Sequence, residues 1–169
     1  MITRIAVGSD GSAHAQHAVE FAAELAAQLH AEVTLVYAIP PYTALTAAAA
    51  GTIGYLPPDA APEDPAVVRT RVEAEYAKPL SNAGVIWDCQ VAEGRPADVI
   101  VQVAERTGAQ LILVGTRSLH GFGEIFLGST SHALAQNSAI PVVVVPLEHR
   151  VSGNGHARKP RVHVTSGPG

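Results

Sequence analysis

The sequence predicts a single α/β domain built on a doubly wound, five-stranded parallel sheet. Three observations carry this. Five short runs rich in β-branched and apolar residues alternate with segments of helical spacing. The joins between runs are long enough to be crossovers, which are right-handed in such sheets and leave the strands parallel. Finally, Gln110–Ser131 reads as a strand, a glycine-bearing loop and a helix start.

In order, Ile2–Gly8 is the first strand, and Ser12 is placed to cap a helix running to about His30. On that helix Ala18, Phe21, Ala22, Leu25 and Leu29 share an apolar face, and Gln16, Glu20, Glu24 and Gln28 share the opposite one. Glu32–Ile39 is the second strand. Pro40–Pro62, rich in Ala, Pro and Gly, is a long connection and is expected to form a mobile flap near the site. A helix follows from about Glu63 to Ser81, with Val68, Val72, Tyr76 and Leu80 in helical register; Pro79 should kink or end it. Val85–Ala92 alternates as a half-covered strand does at a sheet edge, with Cys89 on its apolar side as an inert thiol. Pro96, Asp98 and Gly108 frame the next helix, whose Val99, Ile100 and Val103 face inward. Leu111–Val114 is the fourth strand, a helix runs from about Thr130 to Asn137, and Ile140–Pro146 is the last strand.

A chain of 169 residues is long enough to bury one full core. No apolar run approaches the roughly 20 residues of a membrane span. The opening MITRIAVGSDGS enters a strand pattern directly, and the lone Cys89 excludes an internal disulfide framework or a multi-cysteine metal site. These features point to the cytoplasm and away from a membrane. Up to Pro146 there are seven Lys/Arg against fourteen Asp/Glu, whereas Leu147–Gly169 holds four against one. The end of the chain, 148–169, is therefore expected to be a flexible basic tail outside the 1–147 domain. Its Arg158-Lys159-Pro160-Arg161 cluster is too small for a nucleic-acid footprint, so it reads as solvated.

Ligands of doubly wound sheets bind beyond the carboxyl ends of the strands, where the strand order reverses. Ser9-Asp10-Gly11-Ser12, Ala38-Ile39-Pro40 and the loop after Gly115 should meet there. Glycines such as Gly121 and Gly128 let backbone amides approach a phosphate. The helix start at Ser129, Thr130 and Ser131 adds unpaired N–H groups and hydroxyls. The alternative is an ordinary βα loop with Ser129 as a plain N-cap. Asp10, a poor neighbour for phosphate, suits a ribose hydroxyl, a base amine or a metal ion accompanying the phosphates; its other role is turn formation in Asp-Gly. Arg117 and His120 lie in the same loop and can neutralise phosphate charge. His14 and His17, at i and i+3 on a helix, read as solvated. No Gly-x-x-x-x-Gly-Lys-Ser/Thr loop, first-strand dinucleotide fingerprint or His-x-Gly-His occurs. Ser9-Asp10-Gly11-Ser12 lacks the glycine pair of a pyrophosphatase loop.

Across Met1–Leu147 the chain resembles the universal stress protein family. ATP-binding members carry Gly, two residues, Gly, nine residues, Gly, then Ser or Thr after the fourth strand; here these positions are Gly115, Ser118, Gly128 and Ser129. Ser118 replaces the second glycine. Its hydroxyl can donate to a phosphate, but glycine alone enters positive φ freely. The resemblance also matches Asp10 to the aspartate after strand one, and Ala38 to the residue whose backbone meets adenine. The ending Asn137–Val145 is similar to the family's closing helix and strand. It implies a Rossmann-like sheet in the order 3-2-1-4-5, an ATP ligand with Mg, and homodimerisation through the edge strand Val142–Val145. No histidine constellation supports catalysis, so slow or absent ATP hydrolysis and a sensing or regulatory role in stress are expected. The competing expectation is a nucleotide-free homodimeric interaction module of the same fold, with its protein partner unspecified.

Overall fold

The computed structural model describes residues 1–41, 63–116 and 128–146. The flap expected over Pro40–Pro62 lies, from 42 onward, outside the described residues, as does the tail 148–169. The strands are β1 (Arg4–Ser9), β2 (Glu32–Ile39), β3 (Trp87–Glu93), β4 (Leu111–Gly115) and β5 (Val142–Val145). The helices are α1 (Ala13–Leu29), α2 (Pro65–Tyr76), α3 (Lys78–Asn82), α4 (Pro96–Thr107) and α5 (Ser129–Asn137). All strand pairs are parallel and the sheet order is β3-β2-β1-β4-β5, as the sequence predicts.

The helices cover both faces. On one, α1, α2 and α3 pack through Ala18, Val19, Val68, Val72 and Leu80 onto Ile5, Val7, Val33, Leu35 and Leu113. On the other, α4 and α5 pack through Ile100, Val103 and Leu134 onto Ala6, Val36, Ile112 and Val114. Alternation along β1 sends Ile5 and Val7 to the first layer and Ala6 to the second, which explains the apolar character of the central strands on both sides.

The inward stripe of α1 differs from the expected one. Ala15, Ala18, Val19, Ala22, Ala23 and Ala26 are buried, whereas Phe21 is 40% exposed and Leu25 and Leu29 lie at the margin. Small residues let the helix sit close to the sheet, so the larger side chains flank the contact rather than fill it. Ser12 caps α1 by accepting from the Ala15 amide at 3.2 Å, and Asp64 caps α2 by accepting from Ala66 at 2.8 Å. Pro79 does not kink one long helix. The helix ends at Ala77, and Pro79 sits in the first turn of a separate α3, where its missing N–H breaks no bond.

The closest backbone approach joins the two halves of the sheet. A Cβ built on Gly115, at the end of β4, collides with the His14 carbonyl group and comes within 2.9 Å of the Ala15 nitrogen. Gly115 is thus required by the first turn of α1, independently of any ligand.

Cys89 is buried under α2 with its thiol pushed up to about 11, chiefly by desolvation and then by the Glu73 charge. The protonated thiol stabilises the fold fully below its unfolded value near 9, and that contribution is lost as pH rises toward 11. Iodoacetamide at pH 8 should leave Cys89 unmodified in native protein and alkylate it in urea; rapid labelling of the native chain would show an accessible thiolate. Gly115→Ala should cost about 1–3 kcal/mol, read as a lower urea midpoint at unchanged m. An unchanged midpoint would show that α1 yields to the added methyl.

Candidate functional site

The chain leaves β1 for α1 on one face and leaves β4 for α5 on the other, so adjacent strands send their connections apart. A cleft of about 600 Å³ opens at this divergence. Of the twelve residues that the sequence nominates, Ser9, Asp10, Ala38, Gly115, Gly128, Ser129, Thr130 and Ser131 all line it. Arg117, Ser118, His120 and Gly121 lie outside the described residues.

The lining is polarised. Val36, Ala38 and Pro40 from β2 and its exit, with Pro96 and Ile100 from α4, make an apolar wall. Thr116 and the first turn of α5 make a polar one beside β4. Because β2 and β4 flank β1, these walls stand about 10 Å apart, two strand spacings. Ile100 reaches across β1: a Cβ on Gly8 falls 2.6 Å from its Cδ1.

The polar wall carries backbone donors without partners among the described residues. Gly128 is the N-cap of α5, one residue before the Ser129 cap of the ordinary-loop alternative, and it has no side chain to accept from the first-turn amides. The Ser129, Thr130 and Ser131 amides thus keep their partial positive charge directed at the cleft. Of the three hydroxyls, Ser131 donates at 3.0 Å to the Gly128 carbonyl and is buried, so its hydrogen is engaged within the turn. Ser129 and Thr130 carry no hydroxyl hydrogen bond among the described residues, and both line the opening.

The β1–α1 turn is held from both ends. Asp10 is exposed; its Oδ1 accepts from the Ser12 amide at 3.0 Å, and its second oxygen has no partner among the described residues. The turn-forming role of Asp10 is therefore real, and it leaves one oxygen for a ligand. Ser9 is buried and accepts from the Gly11 amide at 3.3 Å. Gly11 has φ +77°, and a Cβ there would fall 2.5 Å from the Tyr76 hydroxyl. Tyr76 in turn stacks on Tyr37, with ring centroids 6.5 Å apart and planes at 9°. Desolvation raises the Tyr76 phenol above its ordinary range, so it stays neutral beside Asp10's turn.

His14 is the residue whose environment departs most from its expected solvated one. His17 does lie at the surface, 3.4 Å from Glu20. His14 lines the cleft, and its Nε2 is buried without a hydrogen-bond partner among the described residues. Leaving such a group unpaired costs about 1–3 kcal/mol. Its position two residues past the Ser12 cap, at the exit of β1, was the only signal in the sequence. No group of three His, Cys, Asp or Glu is placed to hold a metal among the described residues, and Asp10 is the sole carboxylate on the described cleft wall.

The universal stress protein family model matches residues 1–146. Universal stress protein YxiE of Bacillus subtilis is 32% identical over 152 residues, spanning 86% of this chain and 99% of that protein. Among solved structures, a universal stress protein in complex with cAMP superposes with TM-score 0.60 at 24% identity, covering 86% of this chain and 97% of that one. The universal stress protein from Archaeoglobus fulgidus in complex with dAMP gives TM-score 0.60 at 20% identity, with 86% and 99% covered. At these identities the two structures speak for the fold.

Proposed function

The chain belongs to the universal stress protein family, and we propose that it is an ATP-binding homodimer acting as a cytoplasmic sensor or regulator of the stress response. The observation that carries this reading is the polarised cleft. An apolar wall suited to a flat base faces, across about two strand spacings, a helix start whose amides have no side-chain cap. The cAMP and dAMP ligands of the structural relatives are adenine nucleotides, which supports the same ligand class here.

In this assignment adenine lies along Val36, Ala38 and Ile100, the free oxygen of Asp10 accepts from the ribose, and Gly128, Ser129 and Thr130 take the phosphates. Mg would accompany the phosphates, drawing most of its ligands from their oxygens and water, with Asp10 the one carboxylate on the described cleft wall. Gly115 serves the approach of α1, and Ser131 serves the Gly128 turn. Slow or absent hydrolysis belongs to the reading, because activating water requires a base at the phosphates and this assignment gives the open oxygen of Asp10 to the ribose. Residues 1–147 form the nucleotide domain in this proposal, with 148–169 a basic appendage. No helix among the described residues is long and apolar enough to cross a membrane.

One observation favours a second reading, a nucleotide-free interaction module. Among the described residues β5 pairs only with β4, leaving an edge on which Val142, Val143 and Val144 are half-buried. Pairing of this edge with a second copy is proposed under either reading.

Isothermal titration of nucleotide-stripped protein with MgATP should give micromolar binding, and Gly128→Val should abolish it. Gly128 has φ −63° and ψ 164°, which valine adopts readily, so the variant should fold normally. Absence of heat with folded parent protein would move the chain to the nucleotide-free class. Val143→Lys should give monomers by light scattering; an unchanged dimer would exclude β5 as the interface.

A further inference from the structure

Among the described residues, two side-chain atoms are buried without a hydrogen-bond partner: His14 Nε2 and Gln16 Oε1. Only His14 belongs to the cleft. It is also the single basic side chain on the described cleft wall, the other polar contributors being hydroxyls and the Asp10 carboxylate. Its location along the cleft is set by backbone: the His14 carbonyl group abuts Gly115, so the residue stands at the β4 end, beside Thr116 and the α5 turn. Val36 and Ala38, on β2, belong to the other end.

We infer that His14 is a phosphate-binding residue of this cleft, donating from Nε2 to a phosphate oxygen from the α1 side while the Gly128-Ser129-Thr130 turn donates from the α5 side. The ligand named here, a nucleotide phosphate, rests on the nucleotide reading above; the unpartnered ring nitrogen does not. A polyanion brought against backbone amides and two hydroxyls needs a donor that can carry charge. His14 supplies one at the place where the α1 and α5 starts converge. Bound phosphate in turn satisfies the nitrogen that the protein alone leaves unpaired.

The test uses the intact chain, its His14→Ala and His14→Gln variants, and three probes: inorganic tripolyphosphate, adenosine and MgATP. Tripolyphosphate should move the His14 Nε2 resonance in ¹⁵N spectra, and adenosine should not. His14→Ala should weaken MgATP about tenfold while leaving adenosine affinity unchanged, and the melting temperature of the ligand-free protein should not fall, because the unpaired nitrogen is removed with the ring. His14→Gln, whose carboxamide N–H can still donate, should recover part of the loss. A His14 resonance indifferent to tripolyphosphate, or equal MgATP affinity in parent and His14→Ala, overturns the inference and leaves the nucleotide reading standing. A tripolyphosphate response in a chain that takes no adenine nucleotide overturns that reading and upholds the phosphate contact. Silence toward all three probes removes both.

Discussion

The contact of Gly115 with the first turn of α1 is the constraint on which the rest of the molecule depends. β1 and β4 are neighbours in the sheet, yet their following helices lie on opposite faces. For the cleft between those helices to stay open, α1 must start low against the end of β4. A side chain at 115 would push it away, since the added carbon would occupy the space of the His14 carbonyl group. The alanine stripe of α1 continues the same close approach along the sheet. The first glycine of the family's motif therefore acts on helix placement here, and the cleft is a consequence.

Capping divides the helices into two kinds. α1 and α2 have a first-turn amide met by Ser12 and Asp64, whereas α3, α4 and α5 start without a side-chain cap. Two of these uncapped starts open on the cleft from the second face, through Pro96 and through Gly128–Ser131. At α4, Pro96 removes one of the orphan donors, and Asp98 offsets the helix dipole. At α5 nothing in the turn plays that part, so its donors are directed outward. An anion is the natural partner for such a turn. The Tyr37–Tyr76 stack holds the opposite rim by fixing the loop that carries Asp10.

Much of this was legible from residue type and spacing. β2 spans the predicted Glu32–Ile39, α4 begins at Pro96 and ends before Gly108 in a left-handed conformation, and Ser12 caps α1. Each is a local feature, settled within a few residues by β-branching, a fixed proline φ or a short polar side chain. The departures have one origin. Hydrophobic spacing turns Phe21 inward, but α1 meets the sheet through alanines; helix spacing reads His14 as solvated, but it lines the cleft. Both depend on how closely one element approaches another, which local spacing does not encode.

By itself, the sequence determined the element order, the parallel doubly wound class, the family resemblance and the set of residues gathered at the strand ends. Those follow from periodicity, punctuation by glycine and proline, and the handedness of crossovers, all of which act over short stretches of chain. Only the tertiary structure decided that His14 lines the cleft with its Nε2 buried and unpartnered among the described residues, that Ser131 is consumed by its own turn, and that the core residues Val36 and Ile100 also border the cleft. A side chain's partners are set by which distant backbone lies against it. For His14 that is Gly115, roughly a hundred residues away in sequence and in contact in space.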